Sequence, residues 1–97
     1  MLRFEWDPVK AQTNQRRHGV SFEDAMHVFE DSFALFEPDC ADGGGEVRWQ
    51  AVGVAGGAAV LLVAHTVREE GGDEMVRLIS ARRATRKERR LYEQTRA

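Results

Sequence analysis

The 97-residue sequence has one cysteine, two prolines and no long apolar run. A lone thiol forms no internal disulfide, which is typical of a reducing compartment. Cys40 lies in an acidic stretch that disfavours a reactive thiolate, so we expect no catalytic cysteine. The longest apolar run, residues 58–64, is too short to span a membrane and indicates a buried strand. Because a signal-peptide pattern is also missing at the N-terminus, we expect a cytoplasmic protein without membrane contact.

The sequence also lacks clustered cysteine, histidine and acidic residues at metal-ligand spacing, so we expect neither a metal nor a cofactor. The formal net charge is −2, so the protein has no overall positive charge. The charged residues are unevenly distributed along the chain, however. Residues 76–97 hold eight basic and two acidic side chains, a net charge of +6, whereas residues 1–75 carry a net charge of −8. A basic end of this kind indicates a polyanion such as RNA or DNA, although a solvated arginine-rich helix would look the same.

Helix boundaries are marked by capping residues. Asp7 and Pro8 predict a helix start, and Gly19 predicts its end after about residue 18. A second helix is expected from Ser21, and a third, basic helix from Thr85, where Glu88 three positions later completes a capping box. Alternating and apolar segments predict strands at residues 2–6, 32–37, 46–55, 58–68 and 73–82.

This order predicts an α+β fold with two N-terminal helices, an antiparallel meander of three to four strands and a C-terminal basic helix. We expect one domain, residues 1–97, with the helices packed on one face of the sheet. The glycine-rich segment 39–45 has the composition of a loop.

The glycine pairs suggest which strand residues face each other. If Gly56-Gly57 forms a two-residue turn, Arg48 lies opposite His65. If Gly71-Gly72 does the same, His65 lies opposite Leu78 and Ser80 opposite Val63, although Glu69 then faces Glu74 and like charges repel. Alternation would put a set of polar residues on one sheet face: Arg48, Gln50, His65, Ser80 and Arg82.

Such a face contains groups that metal-free RNA cleavage needs. A base removes the 2′-hydroxyl proton, an acid protonates the 5′-leaving oxygen, and cations stabilise the charge that develops on phosphorus. Histidine performs either proton transfer near neutral pH, and arginine binds phosphate oxygens bidentately. We therefore predict that Arg48, His65 and Arg82 contribute to catalysis.

The sequence also resembles a known family over nearly its whole length. The motifs that carry the resemblance are the segments 4–10, 18–25, 45–48, 65–68 and 79–84, together with Asn14, Glu88, Arg89 and Tyr92. They resemble the signatures of the BrnT toxin family. The acidic segment 39–45 and the low net charge depart from that pattern.

The resemblance implies a fold similar to RelE-type toxins and an endoribonuclease activity that arrests growth. It implies neutralisation by a BrnA-like antitoxin with a ribbon-helix-helix region, and contact with operator DNA only through the antitoxin complex. It also favours Lys10 and His18 as catalytic residues. We expect a further set to bind RNA: Arg68, Arg83, Arg86, Lys87, Arg89 and Tyr92.

Several of these residues have structural alternatives. His18 can simply cap the end of its helix, where a positive charge is favoured. His65 can be a hydrogen-bonded core histidine, and Tyr92 can pack its helix onto the sheet instead of stacking on a base. Glu23 and Glu46 can orient arginines or act as bases. The whole chain can also be a non-catalytic nucleic-acid-binding module, or an interaction protein whose acidic half binds a basic partner.

Overall fold

The structure, a computed structural model, describes residues 1–39, 47–57 and 59–96. Cys40, Glu46 and most of the predicted loop 39–45 lie outside the described residues. The elements follow in this order: β1 (Leu2–Glu5), α1 (Pro8–His18), α2 (Phe22–Met26), a 3₁₀ helix (His27–Glu30), β2 (Leu35–Pro38), β3 (Trp49–Ala55), β4 (Ala59–Glu70), β5 (Asp73–Arg83) and α3 (Arg86–Arg96).

The predicted helix caps are confirmed. The Asp7 carboxylate accepts a hydrogen bond from the Val9 amide at 2.8 Å, with Pro8 in the first helical position. Gly19 ends α1 with a φ of 70°, a left-handed conformation that glycine adopts without a steric penalty. At the start of α3, the Thr85 amide donates to Glu88 Oε1 at 2.8 Å and the Glu88 amide donates to Thr85 Oγ1 at 3.2 Å. This is a complete capping box.

The described strands form one mixed sheet with the order β1-β5-β4-β3-β2. The four strands β2 to β5 form the predicted antiparallel meander, but the total of three to four strands is wrong because β1 joins the sheet. β1 pairs in parallel with the first half of β5, from Leu2 opposite Glu74 to Glu5 opposite Arg77. A parallel neighbour so distant in sequence leaves no turn signal from which it could be predicted.

The first hairpin has a different register from the one predicted. Ala55 lies opposite Ala59, so three residues and not two separate the paired ends of β3 and β4. Trp49 therefore lies opposite His65, and the predicted pairing of Arg48 with His65 is wrong. Since side chains alternate along a strand, this shift moves His65 to the sheet face opposite that of Gln50.

The second hairpin follows the prediction near its turn. Glu69 does face Glu74, and His65 lies opposite Leu78. A bulge then shifts the register, so that Ala64 and not Val63 lies opposite Ser80. Ile79 is the extra residue on β5, and bulges of this kind bend a strand and redirect its side chains.

Both faces of the sheet are covered by helices, which corrects the expectation that all helices pack on one face. On the first face, α1, α2 and the 3₁₀ helix enclose the main core, in which the following residues are buried: Val20, Phe22, Ala25, Val28, Ala51, Leu61, Val63, Val76, Leu78 and Ala81. On the second face, α3 packs against β3, where Leu91 lies beside Val52 and Leu62. These apolar strand residues point away from the main core by alternation and therefore need a second cover.

Candidate functional site

Helix α1 continues the sheet edge where β1 ends. Asn14 of α1 is 5% exposed, and its Oδ1 accepts a hydrogen bond from the Ala81 amide at 3.0 Å. Its Nδ2 donates to the carbonyl oxygens of Ala81 and Val20, both at 2.9 Å. A carboxamide offers the same donor and acceptor as a peptide group. Asn14 thus takes the place of a strand neighbour and fixes α1 against β5.

This contact forms one wall of a cleft of about 210 Å³ between α1 and β5, called here the α1–β5 cleft. The cleft is lined by Lys10, Thr13, Asn14, Arg17, His18, Ile79 and Ser80. The β5 bulge thus lies in its wall, because Ile79 is the residue without a partner on β4.

Three of the lining side chains are exposed cations or potential cations: Lys10, Arg17 and His18. None of the ion pairs among the described residues involves them. Lys10 and His18 were predicted site residues, and the structure places them together. Arg17 and Ser80 were not predicted as members of this cleft. The helical spacing of seven between positions 10 and 17 was a signal for Arg17, since it puts both on one helix face.

The predicted catalytic residue Arg82 is already engaged. Its guanidinium donates to both carboxylate oxygens of Glu88, at 2.8 and 3.0 Å, and to the carbonyl of Arg83. The Glu88 hydrogen bonds raise the pKa of Arg82. Arg82 in turn holds the pKa of Glu88 at about 2, well below the ordinary 4.5. The pair ties the first turn of α3 to the end of β5.

This pair predicts a pH dependence of stability. Because the Glu88 pKa is lowered in the folded state, its contribution is present above pH 4.5 and is lost as the pH falls towards about 2. We expect the difference in unfolding free energy between wild type and Glu88→Gln to shrink over that range in urea titrations. Glu93→Gln on the same helix is the control, since no ion pair among the described residues involves Glu93. A difference that stays constant down to pH 2 would contradict the assignment.

Arg68 is bound in a second network at the opposite end of the sheet. It donates to Glu5 at 2.6 Å and to Glu70 at 2.8 Å, and these hydrogen bonds raise its pKa. The Arg68 hydrogen bond lowers the pKa of Glu5, which also accepts from Arg77 at 3.3 Å. Arg68 is therefore neutralised locally, although its side chain remains 40% exposed.

His65 is a core histidine, the alternative left open by the sequence. It is 1% exposed, and its ring makes edge contacts with Phe29 and Phe36 at centroid distances of 4.8 and 6.2 Å. Nδ1 lies 3.2 Å from the Val63 carbonyl, to which the neutral ring donates a hydrogen bond. Burial lowers the pKa of His65, because removing water disfavours the charged form.

Tyr92 is also buried, with 1% of its surface exposed. Its hydroxyl donates a hydrogen bond to the Asp31 carboxylate. A ring that is enclosed in this way offers no open face to a base, which favours the packing alternative over stacking on RNA. Tyr92 joins α3 to the segment between the 3₁₀ helix and β2.

The other predicted site residues lie apart from the cleft lining. Arg48 is half-buried just before β3, and its Nε has no hydrogen-bond partner among the described residues. Four predicted RNA-binding residues are exposed at the end of β5 and along α3: Arg83, Arg86, Lys87 and Arg89.

The described residues lack both a metal-binding cluster and a membrane-spanning helix. They contain no group of three or more histidine, cysteine or acidic side chains placed to hold a metal ion. They also contain no helix that is long and apolar enough to cross a membrane.

Comparison with known proteins identifies the family. Residues 6–88 match the model of a family described as the ribonuclease toxin BrnT of type II toxin–antitoxin systems. The crystal structure of the Brucella abortus ribonuclease toxin BrnT is similar, with a TM-score of 0.65 and 27% sequence identity. The match covers 89% of this chain and 100% of the Brucella chain. No curated protein gives a significant sequence match. Likeness to RelE-type toxins stays a prediction. The chain belongs to the BrnT family of ribonuclease toxins, whose members have RNA as substrate and an antitoxin as partner.

Proposed function

We propose that this toxin cleaves RNA in the α1–β5 cleft without a metal ion. The observation that carries the proposal is the convergence of Lys10, Arg17 and His18 on one concave site. These groups are exposed, whereas Arg68 and Arg82 are held by carboxylates. A phosphate diester is an anion, so a site with unpaired positive charges attracts it while a neutralised arginine does so only weakly.

The cleft provides the chemistry that phosphodiester cleavage requires. The 2′-oxygen attacks phosphorus, the bond from phosphorus to the 5′-oxygen breaks, and a 2′,3′-cyclic phosphate and a 5′-hydroxyl are left. In this proposal Lys10 and Arg17 bind the phosphate oxygens and stabilise the charge on phosphorus. His18 accepts the proton of the attacking 2′-hydroxyl and delivers a proton to the leaving 5′-oxygen, transfers that histidine performs near neutral pH.

The remaining predicted residues receive other roles in the proposal. Exposed Arg83, Arg86 and Lys87 bind the RNA backbone outside the cleft, which makes binding dependent on salt. Arg82 positions α3 through Glu88. His65 receives no catalytic role, because its ring is buried between phenylalanines. Arg48 stays a candidate for a phosphate contact at the start of β3.

We further propose that the antitoxin is BrnA-like, with a ribbon-helix-helix region that binds operator DNA as part of the complex. The family match supports a dedicated antitoxin. In this proposal the toxin acts in the cytoplasm, where its RNA substrate is.

RNA cleavage in the presence of EDTA tests the reaction. We expect purified toxin to cut single-stranded RNA in excess EDTA and to leave cyclic phosphate ends, because every group in the proposed chemistry is a side chain. Product ends are identified by mass spectrometry. Cleavage that EDTA abolishes would contradict the metal-free mechanism. Tight, salt-sensitive binding without cleavage in either condition would point to a non-catalytic binding module instead.

A further inference from the structure

A second and larger concavity lies away from the α1–β5 cleft. It is a groove of about 900 Å³ between the end of the 3₁₀ helix, the β3–β4 hairpin and α3, called here the α3 groove. Its lining residues are Glu30, Asp31, Ser32, Phe33, Val54, Gly57, Val60, Arg89, Tyr92 and Glu93. None of them lines the α1–β5 cleft, so the two sites can be altered independently.

The charge of the α3 groove is opposite to that of the cleft. Among the described residues that line it are three carboxylates, those of Glu30, Asp31 and Glu93, and one cation, Arg89. Glu30 accepts a hydrogen bond from His27 Nδ1 at 2.8 Å, and its side chain is 75% exposed. A surface of this charge repels RNA and attracts a cationic partner. The groove is therefore unsuited to the substrate.

The floor of the α3 groove is held rigidly by Asp31. This carboxylate accepts hydrogen bonds from the amides of Phe33 at 3.0 Å and Val54 at 2.9 Å, and from the Tyr92 hydroxyl. One side chain thus fixes the loop, the central hairpin and α3 relative to each other. Beside it, Phe33 keeps 46% of its surface exposed. The groove offers a partner a preformed shape, negative charge and an apolar contact. The preformed shape reduces the conformational entropy that the toxin loses on binding.

We propose that the α3 groove binds a cationic segment of the antitoxin, with lysine or arginine side chains towards Glu30 and Glu93 and an apolar side chain against Phe33. The proposal rests on the antitoxin partnership of the family and not on where RNA is cut. Charge complementarity selects this occupant, because the proposed RNA site is basic and this site is acidic. The antitoxin thereby anchors on a surface that RNA does not use.

The test is a pair of charge-reversed toxins with identical changes in net charge. The first carries Glu30→Lys and Glu93→Lys in the groove. The matched control carries Glu69→Lys and Glu74→Lys, two exposed glutamates that face each other on β4 and β5. The antitoxin is recovered from its purified complex with the toxin by denaturation and refolding. Its Kd is then measured by titration calorimetry, and circular dichroism verifies that each toxin is folded.

We expect the groove variant to raise the antitoxin Kd by about tenfold or more, and the control to change it less than about twofold. At saturating RNA, cleavage by both free toxins should stay within about twofold of wild type, because neither pair lines the cleft. Equal affinities of the two variants for the antitoxin would overturn the proposal. So would a dimer of the free toxin that the groove variant dissolves, since a second copy would then occupy the groove. Absence of cleavage by the wild type would count against the proposed RNA site alone.

Discussion

Replacing His18 with alanine is expected to lower kcat for RNA cleavage by about 10²- to 10⁴-fold. His18 is exposed at the end of α1 and lines the α1–β5 cleft beside Ser80, so it can reach a bound phosphodiester. The buried His65 cannot replace it, because its ring lies in the core on the far side of the β4 backbone from Ser80. The loss is measured by single-turnover cleavage of a labelled RNA over a range of pH.

The matched control is His27→Ala. His27 is a half-exposed histidine on the 3₁₀ helix, outside the cleft lining and bound to Glu30. Its removal should leave kcat within about twofold of wild type. Cleavage by His18→Ala at the wild-type rate would exclude the proposed proton transfer.

Lys10→Ala and Arg17→Ala should each raise KM as well as lower kcat, because the lysine and arginine side chains bind phosphate in both the ground state and the transition state. Arg16→Ala is the control for Arg17→Ala, because Arg16 precedes Arg17 on α1 and does not line the cleft.

Replacing Asn14 with leucine is expected to lower the free energy of unfolding by about 3 kcal/mol, the sum of three lost hydrogen bonds at roughly 1 kcal/mol each. The Ala81 amide and the carbonyl groups of Val20 and Ala81 lose their hydrogen-bond partner at a buried position. Cleavage should fall too, since α1 carries Lys10, Arg17 and His18 against β5. Urea unfolding gives the stability, and single-turnover cleavage at a temperature where the variant is folded gives the activity.

Asn14→Asp separates hydrogen bonding from packing. The carboxylate keeps the acceptor for the Ala81 amide but replaces the two N–H donors of Nδ2 with one charged oxygen, which faces the carbonyl oxygens of Val20 and Ala81. We expect a destabilisation at neutral pH that becomes smaller in acid, because the protonated form regains one donor. Gln12→Leu, an exposed change on the same helix, should have little effect on stability. Equal stability of the Asn14→Leu, Asn14→Asp and wild-type proteins would show that this contact does not hold α1 in place.

The local parts of the fold were predictable because local chemistry determines them. The caps at Asp7, Ser21 and Thr85 act over two or three residues, and Gly19 ends α1 by its own backbone conformation. The strands of the meander were recognised by their apolar pattern. The basic charge of α3 follows from the sequence alone, and Lys10 and His18 stay predicted site residues.

The register between strands was less predictable. The Gly56-Gly57 pair suits a two-residue turn, yet the hairpin uses three residues. A difference of one residue in the length of this turn changes the local free energy little. It nevertheless moves the side chains of β4 to the other face of the sheet relative to those of β3. The bulge at Ile79 then adds a second shift in the next strand pair. The predicted group of Arg48, His65 and Arg82 depended on both registers and is not formed.

The sequence by itself determined the elements, their order, the uneven charge and the resemblance to a toxin family, because each depends on residues close together in the chain or on the whole pattern of motifs. Only the tertiary structure decided which of the many cations are available. Glu88 and Glu5 are six and sixty-three residues from the arginines they neutralise. Asn14 pairs with a strand sixty-seven residues away. Such contacts follow from how the sheet and helices pack, and that packing leaves unpaired cations around the α1–β5 cleft and carboxylates around the α3 groove.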